Sequence, residues 1–293
     1  NVSMGDAFNL GWKLKAVLYG EADAALLHSY SAERQAVAED LIAFDRHWAQ
    51  AIRDTANTDE KGDMPPVQRQ FLRQGRYTAG VAVTYAPSVL TGAGNWQALA
   101  PGFAIGTRLH SAPVLRLADA RPMHLGQVVQ ADGRWRVILF GTAADPWRPG
   151  AALTKACQLL LEDRGSPLRR YRAAHEDLDH RIDVRAVLAQ GIGAVDVTAL
   201  PPLLLPSKGR FGLQDYEKAF CACPEPAQDI YRMRGIDRDT GCAVVVRPDQ
   251  HVAHVLPLDR MDILFDFFDG FMRRPPQSSS RNDRSAARIA GVS

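Results

Sequence analysis

The start of the chain constrains the fold most, because residues 1–14 already have the pattern of an amphipathic helix. Its apolar positions recur at helical spacing, with Lys13 and Lys15 off that face; they are Met4, Phe8, Leu14, Val17 and Leu18. Gly20 ends the run, as glycine does at the C-terminal boundary of a helix. With no strand or initiator Met before this helix, we expect a chain that continues a larger fold.

A second amphipathic helix is predicted after a short spacer, with Ser29 and Ser31 as candidate N-caps. Its apolar stripe consists of Val37, Leu41, Phe44 and Trp48, and the side chains expected to face water are Glu33, Arg34, Glu39 and Asp40. Two helices alone cannot bury both stripes against each other. The sequence therefore predicts a sheet or further helices that cover them.

The N-terminus of the first helix is also a candidate binding site. Its leading N–H groups have no intrahelical partner, and the helix dipole places partial positive charge there. Such an end favours an anion, a phosphate or an electron-rich ring edge. On these residues alone, a purely structural helix end remains the alternative.

The opening helix resembles the C-terminal edge of the flavin domain in flavoprotein aromatic hydroxylases of the phenol hydroxylase type. The family pattern Asn-x-x-x-x-Asp-x-x-Asn-Leu-x-Trp-Lys-Leu is matched by Asn1, Asp6, Asn9, Leu10, Trp12, Lys13 and Leu14. Residues 26–34 then resemble the family's Leu-x-x-Tyr-x-x-Glu-Arg helix start, and residues 106–113 and 244–255 resemble its C-terminal domain. Within the family, the sequence is most similar to 3-hydroxybenzoate 4-hydroxylases, with phenol 2-hydroxylases next.

This resemblance implies FAD as cofactor and NAD(P)H as reductant. It implies hydroxylation of a phenolic substrate, of the 3-hydroxybenzoate or phenol type, by O2 through a flavin C4a-hydroperoxide. Asn1 and Val2 match the positions whose backbone N–H groups approach the isoalloxazine ring in the family, so they are the cofactor-binding candidates. The catalytic residues are expected upstream of residue 1, and no metal site is expected. Alone, the chain is expected to be an inactive fragment.

The predicted fold class is α/β, with the C-terminal helices of an FAD-binding domain followed by a thioredoxin-like α/β domain. The expected parts are flavin-domain helices over residues 1–50, a linker and connecting helix over 51–100, the thioredoxin-like domain over 101–272 and a disordered tail over 273–293. The linker is indicated by the polar residues 57–63 and by Pro65 and Pro66, before a helix at about 67–83. The tail is rich in Pro, Ser and Arg.

The thioredoxin-like domain is predicted from the order strand, helix, strand, hairpin, helix. Strands are expected at residues 135–140, 183–187, 242–247 and 251–256, with a helix at about 151–164. Asp259 is expected to cap a last helix with apolar residues Met261, Leu264, Phe265, Phe268 and Phe271. The loop at residues 141–147 contains no Cys, so the redox motif of a working thioredoxin is missing where the fold would need it.

Other candidate groups favour structural roles. Cys221 and Cys223 are spaced by one residue in an expected loop and are interpreted as unpaired thiols in a reducing cytoplasm. His251 and His254 are three apart on a strand, so they should point to opposite faces and share no metal ion. The polar stretch around His175 is interpreted as a solvated face; its members are Asp177, Asp179 and His180.

Composition narrows the possible partners. A net charge of +2 with dispersed Arg residues gives no case for nucleic acid. No apolar run approaches the roughly 20 residues of a membrane span, so we expect no membrane partner and a cytoplasmic location. The expected partners are a phenolic substrate, O2 and a second copy of the chain in a homodimer. The alternatives are a non-catalytic thioredoxin-like interaction or dimerisation module and, more remotely, a thiol oxidoreductase using Cys221 and Cys223.

Overall fold

The computed structural model describes residues 2–56, 68, 75, 81–144, 146–148 and 150–275. Its helices are α1 (Val2–Leu18), α2 (His28–Ala56), α3 (Ala152–Glu162), α4 (Pro167–Arg170), α5 (Ile230–Arg234) and α6 (Ile263–Asp269). Its strands are β1 (Pro113–Arg116), β2 (Pro122–His124), β3 (Trp135–Phe140), β4 (Ile182–Leu188), β5 (Ser207–Lys208), β6 (Leu213–Gln214), β7 (Ala219–Ala222), β8 (Cys242–Val246) and β9 (Val252–Leu256). Short 3-10 turns connect several of these elements.

A mixed sheet forms the centre of the described structure, with strand order β2-β1-β7-β4-β3-β8-β9. The pairs β3–β4 and β4–β7 are parallel, and the remaining pairs of this sheet are antiparallel. Parallel neighbours need a crossover connection, and α3 lies in the one between β3 and β4. The predicted α/β fold class is therefore confirmed.

The two faces of the sheet contribute to two apolar cores. Along β3, Trp135, Val137 and Leu139 join one core, while Ile138 and Phe140 join the other, because successive side chains alternate between faces. A strand covered on both faces needs no polar alternation, which explains the continuous apolar run. The first core is covered by α3 and α6, and the second by α5.

The elements predicted around the hairpin lie close to their expected positions. Strand β3 has the predicted bounds. Strands β8 and β9 each differ from theirs by one residue at one end, and β4 extends one residue further at both ends. The pairing of β8 with β9 shifts register between Val245 and Val246, which is a bulge. The prediction that Asp259 caps the last helix is wrong, because Asp259 lies inside a 3-10 turn and Asp262 holds the N-cap position of α6.

The predicted apolar face of α1 is wrong. Met4 and Leu18 are 66% and 80% exposed, and the buried residues of the helix are Asn9, Trp12, Lys13 and Ala16. A helix can bury polar side chains when neighbouring elements supply partners for them, and here α2 and the β8–β9 hairpin do so. Gly20 follows the helix in the left-handed region at a φ of 69°, as expected for a C-terminal boundary.

Two expectations about α2 are also wrong. Glu33 and Arg34 do not face water; they are only 7% and 6% exposed. Ser29 and Ser31 lie inside the helix, and the Ser29 hydroxyl donates to the carbonyl of Leu26. Asp23 is the residue that caps this region, because its carboxylate accepts from the Ala25 N–H at the start of a 3-10 turn.

Two further assignments need correction. Cys221 lies in β7, at the centre of the sheet and fully buried, rather than in a loop. Asp179 is 4% exposed, rather than part of a solvated face. The predicted linker at 57–63, most of the helix predicted at 67–83 and the tail from residue 276 lie outside the described residues, while residues 81–83 are not helical. Among the described residues, no helix is both long and apolar enough to cross a membrane.

Candidate functional site

A buried polar cluster joins α1, α2 and the β8–β9 hairpin. It consists of Asn9 and Lys13 from α1, Glu33 from α2, and Arg247 and Asp249 from the hairpin. Their exposed fractions range from 0% for Lys13 and Arg247 to 7% for Glu33. The cluster thus draws together three segments that are remote in sequence, and all three carry motifs quoted above.

Arg247 is the centre of this buried polar cluster. Its Nη1 and Nη2 donate to the two carboxylate oxygens of Glu33 at 2.5 and 2.8 Å. Its Nε and Nη2 donate to Asp249 at 3.0 and 2.7 Å. Burial alone would lower the pKa of Arg247, but the two carboxylates outweigh it and raise the pKa above its ordinary value. The guanidinium therefore stays charged within the protein.

Two polar residues attach α1 to the same carboxylate. Lys13 Nζ donates to Glu33 Oε2 at 2.7 Å and to Asn9 Oδ1 at 2.8 Å. Asn9 Nδ2 donates to Glu33 Oε2, also at 2.7 Å. Burial lowers the pKa of the Lys13 ammonium. Burial would raise the pKa of Glu33, but its hydrogen bonds with Arg247 win and lower it, so the carboxylate remains ionised.

Aromatic rings enclose the buried polar cluster. Trp12 Nε1 donates to Asp249 Oδ2 at 3.2 Å. The Arg247 guanidinium lies 4.7 Å from the ring centroid of Tyr85, and the ring centroid of His251 lies 4.4 Å from that of Tyr85. Stacking on aromatic faces favours Arg over Lys at such a position, because the planar guanidinium is weakly hydrated. The rings exclude water from the ion pairs and strengthen them.

Arg34 forms a second anchor, nearer the N-terminus of α1. Its Nε donates to Asp6 Oδ1 at 2.6 Å, its Nη1 to the Tyr85 hydroxyl at 3.2 Å and its Nη2 to the carbonyl of Val2 at 3.4 Å. Gly5 lies beside the guanidinium. One side chain of α2 therefore holds the first turns of α1.

The predicted cofactor-binding residues lie next to this second anchor. Val2 begins α1 and is half-buried, and Asn1 lies outside the described residues. The first turn of α1 carries no acidic side chain, and Ser3 and Met4 are exposed. The partial positive charge of this helix end is therefore not neutralised within the turn. That arrangement fits the electron-rich edge of a ring such as the flavin.

A mainly apolar groove begins at the same end of α1. Val2, Phe8, Val37 and Val83 supply its apolar walls, and the polar groups along it include Arg34, Tyr85, Arg108 and His251. The Arg108 guanidinium is exposed and donates to Gln250 Oε1 at 2.7 Å. The groove leads from the surface toward the buried polar cluster.

The two histidines contact different parts of the protein. His251 packs against Tyr85 with the two rings tilted by 35°, whereas His254 packs against Trp96 and Phe267. Burial lowers the pKa of His254. Across residues 2–56, 81–144 and 150–275, groups of three or more His, Cys, Asp or Glu side chains suited to a metal ion are not found.

The cysteines are buried and unpaired. Burial raises the pKa of Cys221 to about 11, and those of Cys157 and Cys242 to about 12. Cys223 is also buried and directly follows the last residue of β7. Because the thiolate is the reactive form, these environments suppress thiol chemistry.

Asp179 belongs to a second buried group of charges, at the start of β4. It accepts hydrogen bonds from Lys218 and Lys208, and Lys218 Nζ also donates to Asp183 Oδ1 at 2.6 Å. Burial would raise the pKa of Asp179, but Lys218 holds it well below the ordinary value. These ion pairs join β4 to the segment that precedes β7.

Sequence patterns do not predict the buried polar cluster, because helical periodicity places charged residues on the solvent face of a helix. A signal was nevertheless available. Lys13, Glu33 and Arg34 all belong to the matched motifs, and a motif that contains charges in an otherwise apolar helix indicates paired buried groups.

Known proteins resemble the chain over nearly its whole length. Residues 83–276 match the model of the phenol hydroxylase C-terminal dimerisation domain, and residues 1–45 match that of an FAD binding domain. A 3-hydroxybenzoate 4-monooxygenase of Comamonas testosteroni is 49% identical over 93% of this chain and 43% of its own length. The FAD-dependent monooxygenase terD of Aspergillus terreus is 32% identical over 95% of this chain and 47% of its own length.

A solved structure shares the fold. The flavin-dependent monooxygenase PieE, in complex with FAD and substrate, superposes with a TM-score of 0.53 at 17% identity. The match covers 92% of this chain and 44% of PieE. The chain spans about half the length of the curated relatives it matches.

Proposed function

Because the chain belongs to the phenol hydroxylase family of FAD-dependent monooxygenases, we propose that it works within an enzyme that hydroxylates a phenolic ring. The observation that carries this proposal is the 49% identity to a 3-hydroxybenzoate 4-monooxygenase over nearly the whole chain. The proposed substrate class is therefore a 3-hydroxybenzoate-type phenol, with simple phenol as the second choice. The co-substrates are O2 and NAD(P)H.

The proposed role of α1 is to contact the cofactor at its N-terminal end. FAD, when bound, supplies the redox chemistry that activates dioxygen. The backbone N–H groups of Asn1 and Val2 would hold the pyrimidine edge of the ring. Support comes from the first turn of α1, which carries partial positive charge without an acidic side chain. Donors at this edge favour negative charge on the ring, as the reduced cofactor requires.

The proposed domain organisation assigns residues 1–50 to the flavin domain, 51–100 to a connection, 101–272 to a thioredoxin-like domain and 273–293 to a tail. The central strand order β4-β3-β8-β9, with α3 after β3 and α6 after β9, supports the thioredoxin-like assignment. The matched dimerisation domain supports a homodimer. We assign the protein to the cytoplasm, where its buried thiols stay reduced.

The direct test uses the full-length protein. We expect a stoichiometric flavin absorbance after purification, and NADH or NADPH oxidation that accelerates when 3-hydroxybenzoate is added. Parallel assays with phenol and with benzoate, which lacks the activating hydroxyl, define the substrate class. A protein that binds FAD neither as purified nor on titration would contradict the proposal and favour the non-catalytic interaction module instead.

A further inference from the structure

We propose that Arg34 is a positioning residue that holds the first turn of α1 against the flavin and thereby sets the reduction potential of the cofactor. This inference rests on the proposed function, because it concerns the same helix end. Arg34 itself need not touch the cofactor. It acts through the backbone of Val2 and through Asp6.

The contacts of Arg34 are directed at one end of α1. Two of its three acceptors, the carbonyl of Val2 and the carboxylate of Asp6, belong to the first turns of that helix. The third is the Tyr85 hydroxyl, which also accepts from Asn9 Nδ2 at 3.1 Å. Arg34 is only 6% exposed, whereas the Asp6 side chain is 35% exposed, so water is excluded from the guanidinium but reaches part of the Asp6 carboxylate.

The rest of α1 is held by other residues. Glu33 binds Lys13 and Asn9, in the middle of the helix, and is itself fixed by Arg247. Loss of Arg34 therefore leaves α1 attached at its centre while its first turn is released. Arg34 therefore fixes the position of the N-terminal end of α1, whereas Glu33 attaches the whole helix.

The position of the helix N-terminus determines how strongly its partial charge acts on the cofactor. The partial positive charge at a helix N-terminus falls off within the first turn, so a small displacement weakens its effect on a nearby group. Reduction of the flavin adds negative charge, which this helix end stabilises. A displaced first turn therefore lowers the reduction potential of the bound cofactor.

The Arg34 side chain also carries a charge of its own, and the variants must separate charge from position. Asp6→Asn weakens the clamp, because a neutral amide oxygen replaces the charged acceptor of Arg34 Nε; it keeps the Arg34 charge and deletes a negative one. If charge alone mattered, Asp6→Asn would raise the reduction potential; positioning predicts that it falls. Arg34→Lys keeps the charge but carries all its donors on one nitrogen, so it cannot reproduce the three contacts that Nε, Nη1 and Nη2 make, and it should also lower the potential.

The experiment measures flavin content and then the midpoint potential, by spectroelectrochemical titration, in the full-length protein and its variants. Arg46→Gln, at an exposed position of α2, is the matched control. We expect Asp6→Asn and Arg34→Lys to make flavin reduction less favourable by about threefold in equilibrium constant, and the control to leave it unchanged. The midpoint potential of Arg34→Lys should lie between those of the wild type and Arg34→Gln, which would be a partial rescue.

The outcomes distinguish a failure of the positioning role of Arg34 from a failure of the proposed function. If the wild-type protein carries FAD but Asp6→Asn raises the potential or leaves it unchanged, the positioning role of Arg34 is overturned. A wild-type protein without flavin overturns the proposed function, and this inference with it. If Arg34→Gln does not fold, Asp6→Asn and Arg34→Lys still decide between positioning and charge.

Discussion

Arg247 and Glu33 form a two-pronged ion pair at 2.5 and 2.8 Å, although 214 positions separate them in the chain. Arg247 is fully buried and the Glu33 side chain is 6% exposed. The pair joins the second helix to the β8–β9 hairpin, and through Lys13 it also holds the first helix. The contact between the N-terminal helices and the sheet domain therefore depends on buried charge as well as on apolar packing.

Replacing Glu33 with Gln should destabilise the protein strongly. The change leaves the buried Arg247 with one carboxylate fewer and deprives Lys13 of its counter-ion. Removing one partner of a buried ion pair costs about 3–5 kcal/mol in the free energy of unfolding. Chemical denaturation of Glu33→Gln and of the exposed control Glu39→Gln tests this. A loss below about 1 kcal/mol would show that water or Asp249 compensates for the missing charge.

Lys13→Met tests whether the buried charges act as a unit. The single variant leaves Glu33 bound to Arg247 and Asn9, so we expect it to lose less stability than Glu33→Gln. Combined with Glu33→Gln, it restores the charge balance of the buried polar cluster. The double variant should therefore lose less than the sum of both singles, with a coupling of about 0.5–3 kcal/mol. Strict additivity in the double-mutant cycle would contradict a shared network.

The stability of the protein should fall on mild acidification because of His254. Burial lowers the pKa of its imidazole in the folded state below the ordinary value of 6.5. Above pH 6.5 the ring is neutral in both states and makes no pH-dependent contribution. As the pH falls below that value, the unfolded chain takes up the proton first, so the folded state loses stability.

Urea titrations between pH 8 and pH 5.5 can measure this effect of His254. The wild-type protein should lose stability over that range, and His254→Gln should lose less of it. His175→Gln, at an exposed position, provides the control and should follow the wild type. Equal pH slopes for wild type and His254→Gln would show that the imidazole is not the responsible group.

Thiol chemistry should be absent from the native protein. Burial raises the pKa of Cys221 to about 11, and those of Cys157 and Cys242 to about 12. We expect an aromatic disulfide reagent at pH 8 to label these three thiols only after unfolding in guanidinium. Insulin reduction should be undetectable in both wild type and a Cys221→Ser, Cys223→Ser variant. Rapid labelling of Cys221 in the native state would contradict its burial in the sheet.

The sheet domain could be predicted from sequence because its signals are local. Strand β3 is a continuous apolar run, and the hairpin is marked by Pro248 and Asp249 between two Val-rich segments. The family can also be recognised from the sequence, because its motifs occur in the expected order. The matched family models confirm this resemblance.

The buried polar cluster could not be predicted from local patterns. Helical periodicity assigns Lys13 and Glu33 to solvent, since a charge is normally expensive to bury. Their burial depends on Arg247, which follows more than two hundred residues later, and no local pattern reports that pairing. Local patterns place Asp179 on a solvated face for the same reason, since its partner Lys218 lies on a different segment.

The central claim is tested most directly by turnover of the full-length protein under ¹⁸O2 with 3-hydroxybenzoate and NAD(P)H. The account predicts a dihydroxybenzoate product that carries one ¹⁸O atom, with one NAD(P)H consumed for each product molecule. Product labelled from water instead of O2, or a flavin-loaded protein that oxidises NAD(P)H at the same rate with and without the phenol and forms no product, would contradict it.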